Sequence, residues 1–478
     1  MIPVLLIFIP LLSGLVAFFL KEEKAAKSWS LLSTLITLAV TLSGIFIYSH
    51  NNELSYDTAW IPSLGSRVSL HMDGMGKMLC LLTAISFPLV FVATYKNSYK
   101  QPAAFHALML LTQGALMGVF LATDALLFYF FWELALIPVY FLCSIWGGEK
   151  RIAVTFKFFI YTFVGSLLML IGILYLHYKT PDLSFSLDSF SHLTYSTKEQ
   201  NILFLLFFVA FAIKMPIFPL HTWQPDAYEQ SPTAVTMILS GVMVKMGIYA
   251  TLRWLIPMFP NSVNYFGNTI IILSIIGMIY ASLIAIKQDD IKRMIAYSSI
   301  AHIGLMSAAI FAQNKIGLDG VMIQMFNHGI NVIGLWIVAN VIEQQLGTRK
   351  FSELGGLAQK APSLAILFVV MALANIALPL TNAFVGEFLM FNGLFQYNVW
   401  IAAFAGISIV LAAVYTLNMI QKIFYGNTVV LTNNATDAGK NVKVILAFMV
   451  ILVILLGVYP QPMIELTKDT VNAILVKQ

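Results

Sequence analysis

The sequence predicts an all-α polytopic membrane protein of about fourteen transmembrane helices, built as two inverted five-helix repeats that each contain a proline-broken helix. Three observations predict it. Of 478 residues, 59% are hydrophobic and only 10% are charged, with a mean hydropathy of +0.84, whereas soluble domains carry nearer a quarter charged residues. Apolar runs of about twenty residues recur from end to end, the length that a helix rising ~1.5 Å per residue needs to cross a bilayer core of roughly 30 Å. Two of the runs exceed one crossing, and both are interrupted by proline.

Broken at its polar clusters, the chain reads as spans near residues 2–20, 29–48, 72–94, 104–121, 124–146, 154–178 and 201–229. Further spans follow near 232–256, 265–286, 291–312, 319–343, 362–398, 400–424 and 441–460. The first has no basic residues before it and no small-residue cleavage site after it, so it is expected to be a retained helix, with the mature chain starting near Met1. The span at 201–229 contains IKMPIFPLHTW, with Pro216 and Pro219, and the span at 362–398 contains IALPLTNAFVGEF, with Pro379. Proline removes a backbone donor and clashes with the preceding turn, and lipid repairs neither loss, so each break is expected inside protein or beside water. Roughly five spans separate the two breaks, the spacing of equivalent helices in two repeats. The expected organisation is helices 1–3 over residues 1–103, a first repeat (helices 4–8) over 104–256, a second (helices 9–13) over 265–424, and a C-terminal helix and tail over 441–478.

Basic residues set the orientation. Lys214 and Lys245 lie within spans; of the other Lys and Arg residues, 17 fall in odd-numbered loops and eight in even-numbered loops and the C-terminal tail. Positive loops stay in the cytoplasm, so both termini are expected outside. The net charge of +5 reflects this topology rather than an anionic partner. Cys80 and Cys143, the two cysteines, lie within apolar runs, with neither a disulfide framework nor metal-ligand spacing.

The charges inside spans are the functional candidates. Glu133 stands about three turns into LFYFFWELALIPVY, and Lys214 follows a long apolar stretch in FLLFFVAFAIKMPIF. A charge at the bilayer centre costs at least ~2.5–3.5 kcal/mol, so each needs a partner or a wet cavity, and each is the other's expected partner. The plainer readings are a structural salt bridge or a snorkelling lysine, and Lys214 lies too deep to snorkel. Lys245 sits mid-span in TAVTMILSGVMVKMGIYATLRW with no acid in that span, so its partner is expected from another helix. His302, His328 and Glu387 are the mid-span titratable groups of the second half, and together they extend a path from Lys245. A lone intramembrane histidine is as readily a helix–helix hydrogen-bonding group; four such groups in order beside broken helices read as a proton wire. Burial disfavours an ammonium and a nearby carboxylate restores it, so movement of Glu133 is expected to switch Lys214.

Other features are weaker. His221 and Asp226, after the first break, are read either as hydrating an entrance or as capping the interrupted helix. His71, Asp73 and Lys77 read as interfacial anchors. No Gly-rich phosphate loop, metal cluster or basic nucleic-acid face is present, which excludes soluble-enzyme chemistry and nucleic-acid binding.

The stretches WGGEKRIAVTFKFFIYTFVGSLLML, FAIKMPIFPLHTWQPDAYEQSPTAVTMILSGVMVKMGIYATLRW, KQDDIKRMIAYSSIAHIGLM and FVGEF resemble the antiporter-like subunits of respiratory complex I from about residue 70 to 425. The resemblance implies a proton-pumping module in the membrane arm of NADH:quinone oxidoreductase, in the bacterial inner membrane, flanked by the antiporter-like subunits L and N. It implies no cofactor on this chain, with NADH, FMN, iron–sulfur clusters and quinone on other parts of the complex. It assigns proton translocation to Glu133, Lys214, Lys245, His302, His328 and Glu387. A glutamate at Glu387, where sister subunits and the related subunits of multisubunit sodium/proton antiporters usually have lysine, points to the subunit M branch. The chain departs from the family pattern at Gln224 and Tyr228, usually leucine and histidine, and at Leu380, usually glycine. Leu380 implies a differently shaped break beside Glu387. The competing readings are a subunit of a stand-alone cation/proton antiporter or membrane-bound hydrogenase, and an organic-solute transporter, which requires a mixed polar pocket rather than a file of titratable groups.

Overall fold

The computed structural model describes residues 1–48 and 51–476; the end of the expected tail, with Lys477, lies outside the described residues. Apolar helices dominate the chain: α1 (Ile2–Ala17), α2 (Glu23–Phe46), α3 (Gly74–Ala93), α4 (Pro102–Leu121), α5 (Ala125–Trp146) and α6 (Arg151–Lys179). Then come α7 (Thr197–Lys214), the short α8 (Gln224–Gln230), α9 (Thr233–Met258), α10 (Pro260–Lys287), α11 (Ile291–Phe311) and α12 (Lys315–Leu346). The last are α13 (Pro362–Asn375), α14 (Asn382–Tyr397), α15 (Val399–Phe424), α16 (Lys440–Val458) and α17 (Gln461–Val476). Among the described residues, 11 of these helices are long and apolar enough to cross a bilayer. Of the other three expected spans, one is the 16-residue α1 and two are the interrupted pairs α7–α8 and α13–α14. Burial separates the helices by role. The apolar windows of α9 and α12 are wholly buried and that of α11 nearly so, while α15 and α16 are mostly exposed, as lipid-facing helices are.

Both breaks fall where proline dictates. Continuing α7 would require an amide from Pro216 to the Ala212 carbonyl; instead Ile217 N reaches that oxygen at 3.0 Å, and the Trp223 indole donates to the Ile213 carbonyl at 3.0 Å. At the second break the carbonyls are met from α12. Asn327 Nδ2 donates to the Asn382 carbonyl (2.8 Å), and Asn331 Nδ2 donates to the Ala374 carbonyl (3.3 Å) and Asn382 Oδ1 (3.0 Å). These side chains supply inside the bundle what lipid cannot. Leu380 holds φ +72°, the left-handed conformation that glycine reaches without strain. The leucine thus occupies a backbone conformation that suits glycine.

Two elements lie outside the sequence expectation. Residues 55–71 form a hairpin, β1 (Ser55–Ile61) and β2 (Ser66–His71), turned at Gly65 with φ +69°. Asp124, which caps α5 by accepting from the Leu126 and Leu127 amides, also accepts from Arg67 N (3.0 Å) and pins the hairpin to that helix end. At the C-terminus, α17 buries Met463, Thr467, Val471 and Ile474 against α3 and α12. Asp73 caps α3 through Gly76 N (2.9 Å) and joins both regions by pairing with Arg253 (2.6 Å) and accepting from Thr470 (3.2 Å).

Candidate proton-relay site

In the first half, the expected Glu133–Lys214 ion pair is absent among the described residues. Glu133 Oε1 and Lys214 Nζ are both buried without a hydrogen-bond partner. The physical reason lies in helix geometry: consecutive residues of α5 project ~100° apart. Trp132 projects inward, its ring 5.7 Å from Phe211, and Lys214 Nζ sits 5.5 Å from the Trp132 centroid, within cation–π range. Glu133 is turned one residue away and lines an outward groove of about 290 Å³ with Trp60, Tyr129, Phe130 and Ile137. Lys214 thus rests on an aromatic face, with the carboxylate beyond contact.

The second half is connected. Lys245 Nζ donates to the Ser240 carbonyl (2.8 Å) and to His328 Nδ1 (2.8 Å), and it is fully buried. Its helix makes the contact possible. Residues Leu239–Met243 form a π turn, which widens the backbone and leaves a carbonyl open to a side chain five residues on. Close helix approach does the rest: a Cβ on Gly329 would lie 2.7 Å from the Gly241 carbonyl, so α9 and α12 touch backbone to backbone beside His328. His328 Nε2 meets Ser299 Oγ at 3.2 Å, and the His328 and His302 ring centroids are 5.6 Å apart. His302 Nδ1 meets Glu387 Oε1 at 2.9 Å, and Gln324 Nε2 donates to the same oxygen at 3.4 Å. With Nδ1 of His302 protonated, its Nε2 accepts from Asn375 Nδ2 at 3.4 Å. Asn375 also donates to Ser298 Oγ (3.2 Å), which meets the Tyr415 hydroxyl at 3.0 Å. The file runs from Lys245 through His328 and His302 to Glu387, beside the second break at Pro379.

A charged cavity of about 780 Å³ lies on the basic-loop side. Asp226 does not cap α8; its carboxylate takes Lys157 Nζ (2.9 Å) and Arg293 Nη1 (3.1 Å) at the cavity wall. Glu229 pairs with Arg293 (2.6 Å) and Arg349 (3.6 Å). Glu343 takes Lys292 Nζ at 2.8 Å and the Thr233 hydroxyl at 3.2 Å, so it ties the start of α9 to α11 and α12. His221 is buried between Phe218 and Tyr280, and it does not line this cavity.

Residues 122–412 match the family model described as NADH:quinone oxidoreductase/Mrp antiporter, transmembrane. The chain is 37% identical to NADH-quinone oxidoreductase subunit M of Rhodobacter capsulatus, covering 94% of this chain and 90% of that one. It is 35% identical to the subunit M of Rickettsia prowazekii, covering 98% of each. The chain belongs to the subunit M family of NADH-quinone oxidoreductases. Its structure superposes on a chain of respiratory complex I from Thermus thermophilus with bound NADH, with a TM-score of 0.93 at 26% identity, over 100% of this chain and 99% of that one. The region matched by the family model contains Glu133, Lys214, Lys245, His302, His328 and Glu387.

For this subunit M family member, sequence reasoning missed Asn327, Asn331, Asn375 and Trp132, and it counted Lys292 as a loop charge. The asparagines carried a signal. Asn327 and Asn331 are spaced i, i+4 around His328 in an otherwise apolar helix, where a polar amide has no lipid-compatible role. Lys292 carried none, because a basic residue at a helix start reads as an ordinary interfacial charge.

Proposed function

We propose that this subunit moves protons across the membrane through Glu133, Lys214, Lys245, His302, His328 and Glu387, driven by quinone reduction elsewhere in the complex. The observation that carries the reading is the buried file from Lys245 to Glu387, where only the His328–His302 step lacks a hydrogen bond among the described residues. A proton leaves the Lys245 ammonium for His328 Nδ1 along the existing 2.8 Å contact, and the ring releases its Nε2 proton toward Ser299 and His302. His302 delivers it to the Glu387 carboxylate. Each transfer moves one proton; it leaves Lys245 as a neutral amine and His328 as the Nδ1–H tautomer, which returns to its starting form by ring reorientation or proton return before the next transfer. Moving one proton against 100 mV requires about 2.3 kcal/mol, within reach of rearranging one buried charge.

Lys214 is the switched group of the first half. Its contact with Trp132 stabilises the charge less than a contacting carboxylate would, so approach or retreat of Glu133 changes its proton affinity. Glu133 lines the outward groove with Oε1 buried, close enough to the surface for a neighbouring subunit's charge to act on it, and subunits L and N are the proposed neighbours. We place the chain in the bacterial inner membrane with both termini outside, following its basic loops, and we assign residues 104–256 and 265–424 to inverted repeats. The chain transfers no electrons; NADH, FMN, iron–sulfur clusters and quinone belong to other subunits. Glu387, an acid at the second break, favours this reading over a stand-alone antiporter. The test is Lys214→Ala in the assembled complex, with NADH-driven proton pumping measured in membrane vesicles. Pumping is expected to be lost, and full pumping at wild-type assembly overturns the relay.

A further inference from the structure

Lys245 is sealed from the charged cavity, and the segment between them is lined with polar atoms that serve no packing purpose. Gln224 and Tyr228 lie one turn apart on α8, whose other residues Asp226, Glu229 and Gln230 line the cavity. Both side chains turn inward and are fully buried, and the Tyr228 hydroxyl and both ends of the Gln224 amide have no hydrogen-bond partner. The Tyr228 ring packs edge-on against Trp336 of α12, centroids 6.0 Å apart, and the Trp336 indole N–H is likewise buried and unpartnered. Each unmet buried polar group costs about 1–3 kcal/mol, and phenylalanine, leucine and an apolar aromatic would fill the same space without that cost.

The frame around them leads to Lys245. The Thr236 hydroxyl donates to the Tyr228 carbonyl (3.2 Å), the Ser240 hydroxyl to the Thr236 carbonyl (2.8 Å), and Lys245 Nζ to the Ser240 carbonyl (2.8 Å). At the cavity end, Thr233 bonds Glu343; at the other, Lys245 bonds His328. Helices α9 and α12 are thus clamped at both ends of a segment of ~18 Å, with Tyr228 and Trp336 between the clamps. We infer that Tyr228 and Gln224 form the proton entrance from the charged cavity to Lys245, with Trp336 positioning the Tyr228 hydroxyl. This rests on the relay reading. When Lys245 has passed its proton to His328, a neutral amine remains. The tyrosine hydroxyl takes a proton from the cavity side on its lone pair and releases its own toward that amine, so no net charge stays on the ring and nothing is oxidised or reduced.

The test is Tyr228→Phe in the membrane-embedded complex, with pumping and coupled NADH oxidation normalised to assembled complex, in H2O and in D2O. Phenylalanine keeps the packing on Trp336, so the readout isolates the hydroxyl. Pumping is expected to fall about tenfold, the rate change for a lost link of ~1.4 kcal/mol, with an increased D2O effect as proton delivery becomes slower. Gln224→Leu, measured the same way, is expected to show a smaller loss of the same kind. Wild-type pumping and an unchanged D2O effect per assembled complex in Tyr228→Phe, or in Gln224→Leu should the first variant assemble poorly, overturn the entrance. Lys245→Ala in the same preparations separates the two ideas. Lost pumping there alongside a normal Tyr228→Phe removes the entrance alone, while normal pumping in Lys245→Ala removes the relay reading.

Discussion

Adding one methyl group at Gly329 is expected to open the relay at its tightest joint. A Cβ on Gly329 would lie 2.7 Å from the Gly241 carbonyl and 2.7 and 2.9 Å from the two methyl groups of Leu82. Leu82 can rotate, but the carbonyl belongs to the backbone of α9 and cannot. Restoring a tolerable separation requires the helices to part by about 0.5 Å. The Lys245–His328 contact, 2.8 Å in the structure, is then stretched beyond the range of a good hydrogen bond. Overpacking of this kind costs about 1–3 kcal/mol, and a hydrogen bond to a charged group contributes about 1.5–3 kcal/mol, against which alanine returns at most ~1 kcal/mol of helix propensity. Gly241→Ala is the matched control. Its Cβ meets Ile333 Cδ1 at 2.6 Å and Cγ1 at 2.7 Å, side-chain atoms that can shift without parting the two backbones, while the Gly329 carbonyl is at 3.4 Å. Both variants are assayed for thermal stability of the purified complex and for NADH-driven pumping per assembled complex. Gly329→Ala is expected to lower both, and Gly241→Ala to leave pumping near wild type. Equal behaviour of the two, or wild-type pumping in Gly329→Ala, refutes the claim that close helix approach holds Lys245 on His328.

Two further outcomes follow from the second break. Asn331→Leu leaves the Ala374 carbonyl and Asn382 Oδ1 without this donor, so a stability loss of about 1–3 kcal/mol is expected, read as a lower melting temperature of the detergent-solubilised complex. Leu380→Gly removes the strain of a leucine at φ +72°, worth about 1–2 kcal/mol, less the extra chain entropy of glycine of about 0.5–1 kcal/mol. Leu380 is 70% exposed, so little packing is lost, and the variant is expected to match or exceed wild-type stability in the same melt; a clear drop contradicts the strain argument.

What the sequence reveals depends on whether a residue's cost is local. Lys214, Lys245 and Glu387 stand out because a charge in an apolar run is expensive wherever the run packs, and Pro216, Pro219 and Pro379 because each removes a helical amide in a run too long for one crossing, whereas Pro10, Pro88 and Pro138 stay inside α1, α3 and α5. Partner choice is not local. Whether Lys214 meets Trp132 or Glu133 depends on a rotation of ~100° between neighbouring residues of α5, set by how α5 and α7 dock. The π turn before Lys245 has no proline or charge to mark it, and it becomes intelligible only once Gly241 is seen against Gly329. The hairpin at 55–71 hides in a polar connection, where its pairing is fixed by Asp124 from a distant helix start. In α17 the alternation of buried and exposed residues is helical, yet its buried face is understood only from α3 and α12 beneath it.

The central claim is that protons pass through His328 between Lys245 and Glu387. The most direct measurement is the number of protons pumped per NADH oxidised by purified complex carrying His328→Leu, reconstituted in sealed proteoliposomes. Leucine preserves bulk but offers Lys245 no acceptor and Ser299 no partner. The account predicts fewer protons per NADH, or coupled turnover and pumping lost together. An unchanged ratio at wild-type turnover would contradict it.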